Sequence, residues 1–170
     1  MSTRVRSIMT VFILLVLLSL TAGPADAGTK TYITAYECCE VSEFAGKEFF
    51  PNGRYHIRDA ISTFDFWCDD DPRLDDATNR ITLNANFVLM DPPIYAAGNM
   101  WGTFVITNDG GWWEGTWTGV REKNGFSYFH FVGRGGGGYE GLELRIRGER
   151  LNPDPSVTEI YHGYILEMGG

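Results

Sequence analysis

The chain has 170 residues, with 14 Lys and Arg against 22 Asp and Glu and a net charge of −8. That length suits one domain with enough chain to bury a core, and the acidic balance excludes nucleic acid as a partner, because phosphate binding needs clustered cations. Its 21 glycines, 14% aromatic content and lack of any helical stripe predict an all-β protein.

The first element is a leader. Arg4 and Arg6 precede an apolar run from Val11 to Leu20, followed by Ala25-Asp26-Ala27. This charged, apolar, small order is that of a secretory signal peptide. Cleavage is expected after Ala27, so residues 1–27 are the signal and 28–170 a single domain. The run falls short of the ~20 residues of a membrane span and has no successor, so no membrane span is expected in the mature chain, which should be secreted or periplasmic. The leader removes two of the 14 basic and one of the 22 acidic residues, leaving 12 against 21.

Lys30 to Tyr36 alternates Tyr32, Thr34 and Tyr36 against Ile33 and Ala35, a period of two that predicts a strand. Pro51-Asn52-Gly53 is a turn signal, and Arg54 to Trp67 is strand-like. Cys68 to Asn79 carries Asp69, Asp70, Asp71, Asp75 and Asp76 in one short loop. Such oxygen-rich side chains are the ligands calcium takes, but the D-x-[DN]-x-[DN]-G spacing is missing. A solvated acidic turn is therefore expected, with no metal.

Arg80 to Met90 is the cleanest alternation in the chain, with Ile81, Leu83, Ala85, Phe87 and Leu89 on one face and amides on the other. Asp91-Pro92-Pro93 stops it. Met100 to Thr107 and Trp112 to Arg121 flank Asn108-Asp109-Gly110-Gly111, a hairpin turn whose residues tolerate positive φ. Glu122 to Gly125 forms a second turn before the strand Phe126 to Val132. Gly133 to Gly138 reads as a connection to the strand Leu142 to Arg150. Asn152-Pro153-Asp154-Pro155 interrupts the chain, and Val157 to Glu167 is the last strand. Eight strands joined mainly by short turns must bury one face and hide their edges, which predicts a single antiparallel eight-stranded barrel.

Three cysteines remain in the mature chain: Cys38, Cys39 and Cys68. In an oxidising compartment a bridge is expected, and because neighbouring cysteines strain the peptide between them, Cys68 is predicted to pair with Cys38 or Cys39, leaving a buried thiol. With no histidine at ligand spacing, zinc is not indicated.

Gly133, Gly135 and Gly138 spell G-x-G-x-x-G, yet the segment from Glu140 to Arg150 reads as strand where the dinucleotide motif requires a helix. No cofactor is expected. In GGWWEGTWTG, Trp113, Gly115, Trp117 and Gly119 share one face of a strand, and Trp112, Glu114, Thr116 and Thr118 the other. One tryptophan set should fill the core; the alternative use is an aromatic platform, with Trp112, Trp113, Trp117, Trp101 and Tyr139 as the ligand-binding candidates. For proton transfer the candidates are Glu114, Glu140, His130 and His162, without a serine elbow, His-Glu-x-x-His or Cys-His signature beside them.

Asp71-Pro72-Arg73, Asn84-Ala85-Asn86, Trp101-Gly102-Thr103-Phe104, Trp113-Glu114-Gly115-Thr116-Trp117 and Val132-Gly133-Arg134-Gly135 leading to Tyr139-Glu140-Gly141-Leu142 form an order that resembles exported bacterial proteins of unknown function. It is also similar to the β-barrels of allene oxide cyclases and dirigent proteins. The resemblance spans roughly Arg54 to Leu166 and implies an eight-stranded barrel with a central cavity; no cyclase residue matches position by position. The expected function is that of a non-enzymatic binding module for a small apolar or carbohydrate ligand. The alternatives are an isomerase, cyclase or hydrolase using a cavity Glu or His, and a structural or adhesive surface protein.

Overall fold

The computed structural model describes residues 28–88, 97–151 and 159–167. Residues 1–27, expected to be a signal peptide, and the Asp91-Pro92-Pro93 and Asn152–Pro155 segments lie outside them. Among the described residues no helix is long and apolar enough to cross a membrane.

Nine strands form one antiparallel sheet: β1 (Thr29–Phe44), β2 (Lys47–Phe49), β3 (Arg54–Trp67), β4 (Ala77–Val88), β5 (Ala97–Asn108), β6 (Gly111–Arg121), β7 (Ser127–Gly137), β8 (Leu142–Arg150) and β9 (Glu159–Glu167). Each of β3 to β8 pairs with the next in sequence, and β1 pairs with both β9 and β3, so the sheet closes into a ring of eight. The short β2 extends the sheet beside β3. Closure removes the open edges that eight amphipathic strands would otherwise expose.

The period-two pattern decides what faces inward. Ile33 and Ala35 of β1, Ala85 and Phe87 of β4, Phe104 and Ile106 of β5, Trp113 and Trp117 of β6, Leu144 and Ile146 of β8, and Tyr161 and Ile165 of β9 are all buried. On β3 the alternation switches at a bulge between Ile57 and Ala60, where Asp59 has φ 57°. The extra residue keeps Tyr55 and Ile57 packed against the core while turning Ala60, Ser62 and Phe64 inward as well.

Two expectations need correction. Gly133 to Gly138 is not a connection: β7 runs on to Gly137, pairing Gly133, Gly135, Gly136 and Gly137 with Gly115, Trp113, Trp112 and Gly111. Glycine is used there because neighbours lie where a side chain would begin. A Cβ on Gly133 would stand 2.6 Å from Phe104 Cζ, and one on Gly135 2.1 Å from the Tyr139 carbonyl oxygen.

The disulfide is also elsewhere. Cys38 bonds to Cys39, and Cys68 is a free, buried thiol whose pKa burial pushes up. Neighbouring side chains on a regular strand point to opposite faces, but β1 carries a bulge after Cys38 and Cys39 has φ 64°, so the alternation breaks where the two sulfurs meet. Cys68 could not have reached either. The β3 partner of Cys38 is Asp65, and Cys68 lies three residues further on, roughly 10 Å along an extended chain and beyond the Cα separation of a disulfide.

The two ends of the ring differ. At one end the Cys68–Asp76 loop folds across the interior with Leu74 fully buried. Its backbone is tied down by Trp113, whose Nε1–H donates to the Arg73 carbonyl at 3.0 Å, and by the Asn108 amide, which donates to the carbonyls of Pro72 and Asp75 at 3.2 Å each. Tyr139 stacks on Trp113 at 5.1 Å, closing that end. The opposite end holds the ring's cavity.

Candidate functional site

Several inward faces end in a charged residue at the same end of the ring. On β1 the series Ile33, Ala35 continues to Glu37. On β6, Trp113, Gly115, Trp117 and Gly119 continue to Arg121; on β8, Leu144, Ile146 and Gly148 continue to Arg150. β9 begins its inward series with Glu159 and Tyr161. These groups, with Ser62 and Glu40, surround a cavity of about 120 Å³ whose remaining wall includes Phe64, Leu83, Met100, Trp117, Phe129 and Phe131. One end of the cavity is polar and its walls are aromatic and aliphatic.

Glu37 and Glu159 are 3% and 4% exposed and are directly paired across β1 and β9. Two carboxylates this close, out of water, cannot both ionise cheaply. Burial above all, and then the charge of Glu159, push Glu37 up to about 8. Burial also raises Glu159, against the pull of Arg150, whose Nη2 forms an ion pair with it. At neutral pH, therefore, Glu37 carries a proton and Glu159 is the paired anion.

The hydrogen bonds agree with this assignment. The Asn79 amide donates to Glu37 Oε2 at 2.6 Å, and the Tyr161 hydroxyl lies 2.7 Å from Glu159 Oε2 and 3.2 Å from Glu37 Oε1. A phenol has one proton to give, and the shorter contact to the anion takes it. Tyr161 thus links Glu37 to Glu159, which accepts from Tyr161 on one side and pairs with Arg150 on the other. Burial together with the two carboxyls raises the Tyr161 phenol well above its ordinary value.

Arg121 stands apart from this chain. Its Nε–H donates to Ser127 Oγ at 3.3 Å, and among the described residues it forms no ion pair. Burial, and then repulsion from Arg150, lower its pKa. Arg150 Nε is buried without a hydrogen-bond partner among the described residues.

Of the aromatic candidates, Trp117 alone lines this cavity. Trp113 is fully buried in the closed half, Tyr139 stacks on it, Trp112 is 42% exposed on the outer face, and Trp101 lies half-buried beneath the Arg58 guanidinium. The candidates for proton transfer do not reach the interior: Glu114, Glu140, His130 and His162 are all exposed. The sheet brings His130 and His162 to either side of Arg147 on the outside of the ring, and Glu114 pairs with Arg134 there.

The five loop aspartates do not converge. Asp71 accepts from Arg73 Nη2 at 2.7 Å and from its Nε at 2.9 Å, bonds that hold its carboxyl below the usual range, while Asp70 accepts the Thr34 backbone N–H. Asp69, Asp75 and Asp76 are exposed. Among the described residues the one cluster of metal-ligating atoms is Cys38, Cys39 and Asp65, whose two sulfurs are already bonded to each other.

Glu37, Arg121, Arg150, Glu159 and Tyr161 were missing from the sequence candidates. Their signal was parity: each occupies the apolar phase of its strand, where a charge is costly unless it has a use. No family model matches this chain, and no curated protein or solved structure matches it significantly.

Proposed function

We propose that the protein is an exported binding module that holds a small, ring-sized, mainly apolar molecule in the cavity at the Glu37–Glu159 end of the ring. The observation that carries this reading is the cavity itself: about 120 Å³ walled largely by Phe64, Leu83, Met100, Trp117, Phe129 and Phe131. Apolar cavities of about 150 Å³ hold one benzene ring; this one is slightly smaller, so a single ring is its upper limit and an oligosaccharide is too large. Between the two ligand classes expected, the size favours the apolar one. The Cys38–Cys39 bond supports a secreted or periplasmic location, because disulfides persist in oxidising compartments.

Titration with benzyl alcohol, followed by tryptophan fluorescence and by the NMR signal of the Trp117 indole N–H, tests the reading. Saturable shifts are expected, and Leu83→Trp, which fills the cavity, should abolish them while the protein stays folded. Shifts that persist undiminished in the filled variant would place binding elsewhere and end the proposal.

A further inference from the structure

The charged groups around the cavity are not all paired. Arg121 and Arg150 line it together with Glu159, Glu40 and Glu37, and burial keeps Glu37 neutral below about pH 8. Glu40 is exposed and accepts from Ser62 Oγ at 2.8 Å at the margin. Arg150 is matched by Glu159. Arg121 is half-buried and has only a neutral hydroxyl as hydrogen-bond partner among the described residues. A partly buried guanidinium without an ion-pair partner leaves donors that an anionic guest can take.

We infer that the cavity selects a monoanionic aromatic acid of one ring, its carboxylate received by Arg121 and its ring by Trp117 and Phe129. The inference rests on the cavity being a binding site. A carboxylate is the anion that fits: planar like guanidinium, it can take two parallel N–H donors. Trp117 and Phe129 meet edge to face with ring centroids 6.0 Å apart, and aromatic groups pack favourably in both edge and offset arrangements. The volume admits one ring at most, with the carboxylate at the charged end of the cavity.

Glu37 sets the pH range. It is faced by Asn79 from β4, Tyr161 and Glu159 from β9 and Arg150 from β8, with Arg121 of β6 and Glu40 of β1 on the same cavity. When Glu37 ionises, a further negative charge faces the cavity and an anionic ligand loses attraction.

Benzoate, benzyl alcohol and benzylamine are close in size and differ in charge. Calorimetric titration of the full-length folded protein at pH 7 should show benzoate binding at least tenfold more tightly than benzyl alcohol, with benzylamine weakest. Arg121→Gln should remove that preference, Arg121→Lys should retain part of it, and in the unaltered protein the benzoate advantage should shrink above pH 8 but not in Glu37→Gln. Equal binding of benzoate and benzyl alcohol to the unaltered protein would overturn the charge assignment and leave the binding site standing, as would a preference that survives Arg121→Gln. Failure of all three compounds to bind would overturn the site as well. The comparison on the unaltered protein decides the matter even if a variant fails to fold.

Discussion

Glu37 holds a proton that the unfolded chain would release. Its carboxyl titrates near 4.5 when free and near 8 in the fold, so between those values the folded state is protonated and the unfolded state ionised. As pH rises through that window ionisation lowers the free energy of the unfolded chain but not that of the fold, and stability falls. Burial raises Glu159 in the same direction; the lowered Asp71 carboxyl acts oppositely, but only at the acidic end where it titrates. Urea denaturation should therefore show stability declining from about pH 5 to pH 8, by an amount on the order of several kcal/mol. Glu37→Gln should flatten the curve and leave the protein more stable than the parent at pH 9; an unchanged slope in this variant would show that Glu37 is ionised in the fold. The proton is invisible to composition, since it depends on a neighbour more than a hundred residues away in the chain.

At the scale of the strand, β6 and β7 show how much of the pattern is readable and where it stops. The alternation of tryptophan and glycine from Trp112 to Gly119 is enough to separate two faces, and it is Trp113 and Trp117 that turn inward. The glycines from Gly133 to Gly137 suggest a break because glycine is poor in strands, whereas here each gives way to a neighbour. Gly115 and Gly136 separate two kinds of close approach. A Cβ on Gly115 would lie 2.1 Å from the Val132 carbonyl oxygen, which is backbone of the partner strand; on Gly136 it would lie 2.4 Å from the exposed Trp112 ring. The ring can swing away and the strand cannot. Gly115→Ala should thus cost roughly 2–3 kcal/mol and Gly136→Ala less than about 1 kcal/mol in denaturant melts. Equal losses would mean that the Trp112 ring is as fixed as the backbone. The Cys38–Cys39 bond escapes a sequence reading for a related reason: a single positive φ and a bulge overturn a rule that holds for regular strands.

For the molecule as a whole, closure joins β1 to β9 and to β3, so Thr29 meets Glu167 and Tyr36 meets Trp67. Chains dominated by such distant pairings search longer before their contacts repay the entropy of loop closure. Refolding followed by stopped-flow tryptophan fluorescence should have its main phase in milliseconds to seconds; a microsecond phase carrying the full amplitude would contradict a transition state that needs the closed ring. The ring was legible from eight alternating segments and short turns, but its cavity was not, because no single strand carries it: Glu37, Arg121, Arg150 and Glu159 come from four strands and become one group only after closure. The packed end has a kinetic meaning of its own. With Leu74, Trp113 and Tyr139 filling the far side, the interior is a blind alley, and under the proposed binding role a guest would have to retreat by the way it came. Arrival and departure then cross the same barrier, so whatever narrows the rim delays both equally and lengthens the stay without tightening the grip.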